Sequence, residues 1–155
     1  MNKVQITVFT PTYNRGYIIE NLYRSLQRQS CNHFEWLVID DASDDGTQKL
    51  FEEWMQTQNS FPIRYYRRTV GGGKHRAINE GIKLAQGSLF FIVDSDDTLA
   101  DTAVQKLIEW DAQIEKKENF AGVSGNKGYS DTELVGTTFS GNYVDASYTE
   151  RVQRN

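Results

Sequence analysis

The chain has 155 residues, 17 basic and 21 acidic side chains, and a formal net charge of −4. That length fits one domain, and 38% hydrophobic with 25% charged residues describes a soluble globular protein. The acidic balance argues against a nucleic-acid binder that works through a basic surface. One cysteine, Cys31, excludes a disulfide framework or Cys-rich zinc site, and two histidines, His33 and His75, leave little for a His-rich one. Any metal here would be one that prefers oxygen ligands.

The opening stretch, MNKVQITVFTPTYNR, has too short an apolar run for a signal peptide. Nothing approaches the roughly 18 apolar residues of a membrane span. The expected compartment is the cytoplasm, including the inner face of its membrane. Val4–Phe9 reads as a first strand, and Ile18, Ile19, Leu22 and Leu26 then recur at helical spacing. Phe34–Ile39 is a nearly continuous apolar run, as expected of a strand buried on both faces. Leu50, Phe51, Trp54 and Met55 mark a second helix, with Ser43, Asp44 or Asp45 as candidate caps.

Ile63–Tyr66 is a shorter third strand, and Ala77, Ile78, Gly81, Ile82 and Ala85 form a third helical stripe. Leu89–Val93 is the strongest strand signal, and Asp101 looks like the cap of a fourth helix carrying Val104, Leu107 and Ile108. This alternation predicts right-handed βαβ crossovers and a mainly parallel α/β sheet flanked by helices. From Asn119 to Asn155 the chain is polar and without a clear period, although Phe120–Val123 could add a strand. A polar stretch of that length is long for a loop in one domain.

In such a sheet, ligands bind outside the carboxyl ends of the strands. The unusual polar segments of this sequence lie there: Thr10 to Arg15 after the first strand, Asp40-Asp41 after the second, and Asp94-Ser95-Asp96-Asp97 after the fourth. Three carboxylates in four residues repel one another unless a cation neutralises them, and hard ions such as Mg²⁺ or Mn²⁺ take carboxylate oxygens and share them with a phosphate. The plainer alternative is a solvated turn ahead of the helix near Asp101. Asp40 and Asp41 could make turns and caps, or accept a hydrogen bond from a nucleobase. Asp44 and Asp45 read as turn and cap residues.

Gly71-Gly72-Gly73-Lys74-His75-Arg76 is a basic, glycine-rich loop whose backbone could approach an anion at a helix N-terminus. It is not a P-loop, because Arg68 stands where the first glycine would be and no Ser or Thr follows Lys74. By itself it could be a simple connector.

Taken together, the stretches VFTPTYNR, WLVIDDASDDGT, GGGKHRAINEGIKLAQG and LFFIVDSDD resemble the inverting family 2 glycosyltransferases of GT-A fold. The resemblance covers about residues 4–98 and implies a Rossmann-like sheet with a donor-binding half over 1–98. The incomplete beginning of an acceptor half would then occupy 99–155. It implies that Pro11, Tyr13 and Arg15 line the pocket for base and ribose, and that Asp41 accepts from the base, most plausibly uracil. Asp94 and Asp96 would form the D-x-D motif holding ribose and a Mn²⁺ or Mg²⁺ ion, with Ser95 between them and Asp97 as a further metal ligand. Lys74 and His75 would lie near the donor. Many relatives carry Arg directly before the residue matching Asn79, where this chain has Ile78, so Lys74 and Arg76 compete for the donor-facing role.

The implied reaction is metal-dependent transfer of a sugar from a nucleotide-diphosphate donor, a UDP-sugar, to a saccharide or lipid-linked acceptor. The family's general base lies well downstream of the D-x-D motif, and none of Asp131, Glu133, Asp145 or Glu150 stands in a matching motif. The expectation is therefore a donor-binding part that lacks the base, is inactive alone, and exposes apolar sheet surface that favours self-association. Two other readings remain: a nucleotide-sugar-binding module without catalysis, and a haloacid-dehalogenase-like phosphatase with Asp94 as nucleophile.

Overall fold

Four short apolar segments become parallel strands in the computed structural model, which describes residues 4–114, 122–123, 125–130 and 133–135. The strands are β1 (Ile6–Thr12), β2 (Phe34–Asp40), β3 (Ile63–Arg67) and β4 (Leu89–Ile92). Between and after them run α1 (Ile19–Gln27), α2 (Thr47–Gln56), α3 (Lys74–Leu84) and α4 (Ala103–Gln113). The sheet order is β3-β2-β1-β4, all parallel, as the alternation predicts. Every residue of β1 and β2 is buried, because each has a strand on both sides and helices on both faces.

The two faces are built differently. On one, Phe9, Leu37 and Ile39 pack with Ala77 of α3, and a side chain at Gly81 would run into the Phe9 ring, at 2.2 Å. On the other, Tyr23 of α1, Trp36 of β2 and Trp54 of α2 stack, with Phe51 set between Trp36 and Tyr65. Trp36 is fully buried and its indole N–H donates to Thr10 Oγ1 at 3.0 Å, so a large apolar ring is buried without an orphan donor.

Several boundaries differ from the sequence reading. The first strand runs on through Pro11 to Thr12, paired with Ile39 and Asp40 of β2. Proline is tolerated because Asp41 N–H donates to the Thr12 carbonyl on the β2 side, whereas Val93 N–H donates to the Phe9 carbonyl on the β4 side. Alternation turns the nitrogen of Pro11 to the β4 side, where β4 has already ended, so no ladder bond is lost. The fourth strand is only half-buried, with Ile92 42% exposed, since β4 lies at the edge of this sheet.

Two caps also move. Asp101 does not cap α4; it pairs with Arg28 at 3.2 Å, while Gln29 Oε1 accepts from Val104 N–H in the helix's first turn. At α2 the capping position is Gly46, at a left-handed φ of 89°, and Asp45 reaches past it to accept from Thr47 N–H and Oγ1.

The chain divides into two compact units, Met1–Lys117 and Glu118–Asn155, so α4 belongs to the first. In the second, Gly128 pairs antiparallel with Leu134. Phe120 and Ala121 of the candidate fifth strand lie outside the described residues, and Gly122 and Val123 are not in a strand. No helix among the described residues is long and apolar enough to cross a membrane.

Candidate donor site

The chain moves outward from β1 through β2 to β3, then returns to place β4 on the other side of β1. Loops leaving β1 and β4 therefore diverge, and a crevice opens between them. There lies a cleft of about 380 Å³ lined by residues from all four strand-end segments. Pro11, Thr12, Tyr13 and Arg15 form one wall, Asp41, Gly73, Lys74 and Ala77 a second, and Asp94, Ser95 and Asp96 a third. His75 and Asp97 are not among the lining residues. The His75 ring lies back against Gly73, and Asp97 N–H donates to the Asp94 carbonyl at 3.1 Å.

The Tyr13–Arg15 wall is held from behind by the loop after β2. Asn14 sits at a left-handed φ of 51°, a conformation its short amide tolerates. Its backbone N–H donates to Ser43 Oγ at 2.9 Å, and Gly16 N–H donates to Asp45 Oδ2 at 2.8 Å. Burial pushes the Asp45 carboxyl up, but donors from Thr47 and Gly16 outweigh it and hold it below the usual carboxylate range. Tyr13 projects outward at 59% exposure, and Arg15 Nη1 donates to Tyr17 Oη at 2.7 Å.

Asp40 and Asp41 part company at the end of β2, as neighbours on a strand must. Asp40 is fully buried and accepts from Ser43 N–H, Ser43 Oγ and the Tyr65 hydroxyl. Burial, then the bond to Asp40, pushes the Tyr65 phenol well up. Asp41 faces the cleft: Oδ1 accepts from Arg68 Nη1 at 2.7 Å and Gly72 N–H at 2.9 Å, and Oδ2 from Gly72 at 3.0 Å and Gly73 at 2.7 Å. Burial pushes its carboxyl up, but the two glycine N–H groups and the Arg68 cation outweigh it and bring it below the ordinary value. The glycine loop is thus anchored to the sheet through Asp41. Arg68 and the glycine amides were not legible as partners of Asp41, because no spacing rule links them.

Anchoring that loop aims the N-terminus of α3 at the cleft. Gly73 takes φ 85°, and the first turn carries Lys74, His75 and Arg76 with no acidic residue. Positive charge at a helix N-terminus opposes the macrodipole, so this turn suits a bound anion better than itself. Lys74 lines the cleft, whereas the Arg76 side chain lies against Gly72. Across the cleft, Lys74 Nζ meets Asp94 Oδ1 at 2.6 Å. Among the described residues no three His, Cys, Asp or Glu side chains form a ready-made metal cage. Asp94 and Asp96 nonetheless offer hard oxygen donors on one wall, which fits an ion held by one or two carboxylates together with substrate phosphates.

The geometry has close relatives. Abequosyltransferase RfbV of Salmonella typhimurium is 37% identical over 97 residues, covering 61% of this chain and 29% of that protein. The structure of Staphylococcus aureus TarS 1-349 in complex with UDP superposes with TM-score 0.65 at 26% identity, over 70% of this chain and 32% of that one. Mannosyltransferase PcManGT from Pyrobaculum calidifontis, in complex with GDP-Man and Mn²⁺, gives 0.66 at 28%, over 72% and 33%. The chain spans less than half the length of the curated relatives it matches first. The sheet and its flanking helices are the GT-A, Rossmann-like arrangement of these neighbours. The model of glycosyl transferase family 2 matches residues 7–137, which displaces the phosphatase reading of Asp94. Since that match takes in the entire cleft and all four strand ends that shape it, the chain belongs to glycosyl transferase family 2.

Proposed function

We propose that this chain binds the nucleotide diphosphate of a sugar donor, a UDP-sugar, in the cleft between the ends of β1 and β4. The protein then transfers the sugar with inversion to a saccharide or lipid-linked saccharide acceptor. The observation that carries this reading is the meeting of opposite chemistries on one cleft: Lys74 and the α3 N-terminus for an anion, Asp94 and Asp96 for a cation.

Pro11 and Tyr13 supply an apolar and aromatic wall for the base and ribose, and Arg15 a cation at its rim. Asp41 is the acceptor for the base's imino hydrogen. Gly72 N–H spans both of its oxygens, so Oδ2 can turn a lone pair to a ligand while Gly72 stays bonded to Oδ1. Asp94 and Asp96 would hold Mn²⁺ or Mg²⁺, and Ser95 between them is buried. The ion, when bound, stabilises negative charge developing on the leaving diphosphate. Lys74 adds a second positive group at the same end.

Calorimetric titration with UDP and CDP, with and without Mn²⁺, tests the reading. UDP should bind in a metal-dependent way, and Asp96→Asn should sharply weaken that binding with the fold intact. Asp41→Ala should cost about 1.5–3 kcal/mol of UDP affinity and blunt discrimination against CDP. UDP affinity unchanged by both EDTA and Asp96→Asn would make the acidic segment a turn and nothing more.

A further inference from the structure

We propose that Lys74 is an internal counter-ion for Asp94 that transfers to the donor's diphosphate, and that this exchange couples metal binding to nucleotide binding. The inference rests on the nucleotide-sugar reading of the cleft and adds to it a role for one residue in the order of assembly.

The ion pair has the properties an exchange requires. At 2.6 Å it is a direct contact, yet the side chains are 55% and 36% exposed, so water screens it and little holds it closed. Lys74 is the first residue of α3, and the preceding Gly73 has its N–H fastened to Asp41 at 2.7 Å. The backbone is therefore fixed, and only the flexible four-carbon stem must move. The first turn of α3 offers no carboxylate to take the ammonium. Asp96, on the same wall, is exposed and has no ion-pair partner among the described residues.

Charge then dictates the order. A divalent cation arriving alone meets an ammonium already seated on Asp94, and displacing it strands a positive charge beside the incoming ion. A cation arriving with a diphosphate meets no such penalty. The ammonium moves from a carboxylate oxygen to a phosphate oxygen, Asp94 is released to the ion, and every charge keeps a partner. No covalent bond changes. Asp94 of the ligand-free protein is thereby kept from stray divalent ions.

The coupling is measurable with no sugar transfer. Mn²⁺ binding to the 155-residue chain is followed by electron paramagnetic resonance of the free ion, with and without UDP, for the unmodified protein, Lys74→Met and Lys74→Arg. UDP should tighten Mn²⁺ binding to the unmodified protein by a factor in the roughly 5–150-fold range of linked sites, and Mn²⁺ should tighten UDP binding equally. Lys74→Met should bind Mn²⁺ alone about tenfold more tightly and, since the phosphates still ligate the ion, lose about tenfold of the full enhancement by UDP. Lys74→Arg, which keeps the charge, should retain it. UDP binding with Mn²⁺ affinity and enhancement unchanged in Lys74→Met would overturn the exchange while leaving the donor site intact. No binding of UDP by the unmodified protein at saturating Mn²⁺ would overturn the nucleotide-sugar reading and the exchange with it.

Discussion

Asn14 and Asp44 exchange hydrogen bonds across two loops: Asn14 Nδ2 donates to Asp44 Oδ1 at 2.9 Å, and Asp44 N–H donates to Asn14 Oδ1 at 2.9 Å. The pair ties the segment after β1 to the segment after β2, so the Tyr13 and Arg15 wall is set by residues that never face the cleft.

Replacing Asn14 should therefore affect both stability and ligand affinity. Asn14→Ala loses both side-chain bonds and, with them, the short polar side chain that eases φ 51°, for a combined cost of about 1–2 kcal/mol in urea unfolding. Asn14→Gly keeps the backbone comfortable and isolates the bonds. Both variants should bind UDP more weakly, and an unchanged affinity would show that the wall holds itself.

Ala42 is the opposite case. It sits at φ 71° directly after Asp41 and has no side-chain amide to compensate. The left-handed conformation costs an alanine roughly 1–2 kcal/mol, and glycine's greater freedom in the unfolded chain returns part of that. Ala42→Gly should leave the protein equally stable or more stable by up to about 1 kcal/mol, read as an increased urea midpoint.

Asp41 and Asp45 predict the acid limb of stability. Both carboxyls lie below their ordinary value in the folded protein. Their contribution is complete above the unfolded value of about 3.9 and is lost as pH falls through the lower folded value. Asp45→Asn should lower the urea midpoint at pH 7, and the gap to the unmodified protein should narrow below about pH 4. A gap constant down to pH 2 would assign Asp45 to shape alone.

At the opposite end of the sheet, fully buried Glu35 accepts from Thr7 Oγ1 at 2.7 Å and Gln86 N–H at 2.8 Å, and pairs with Arg64 at 2.9 Å. Arg64→Met leaves that carboxylate without its cation and should cost about 3 kcal/mol. Adding Glu35→Gln should recover part of the loss, measured as a double-mutant cycle. UDP affinity of the folded fraction should not change, because the cleft lies beyond the other ends of the strands.

Much of this architecture was legible. Among the described residues, apolar runs found the four strands and helical stripes the four helices, since burial on both faces leaves a continuous apolar run and burial on one face a helical period. What the pattern could not give was the far end of β1. Pro11 reads as a breaker, and only the early end of β4 makes it harmless. Helix caps were misplaced for a related reason: Asp101 has the chemistry of a cap but found Arg28 instead. In the site, strand-end logic brought Pro11, Tyr13, Arg15, Asp41, Asp94, Ser95 and Asp96 to one cleft, and the family resemblance added Lys74. The partners that fix them, Ser43, Asp44, Asp45 and Arg68, are ordinary turn and surface residues whose pairings exist only in three dimensions.

The mismatch between strand lengths has its own consequence. Pairing of β1 with β4 stops at Phe9 and Ile92, while β1 and β2 continue together to Thr12 and Asp40. Three residues at about 3.3 Å each make a step roughly 10 Å deep in the rim of the sheet. The recess is a place where a strand is missing rather than a hollow carved between side chains. Its depth is therefore indifferent to the residues on its walls. Those walls can change to suit a different base or sugar while the recess proposed for the diphosphate stays the same size.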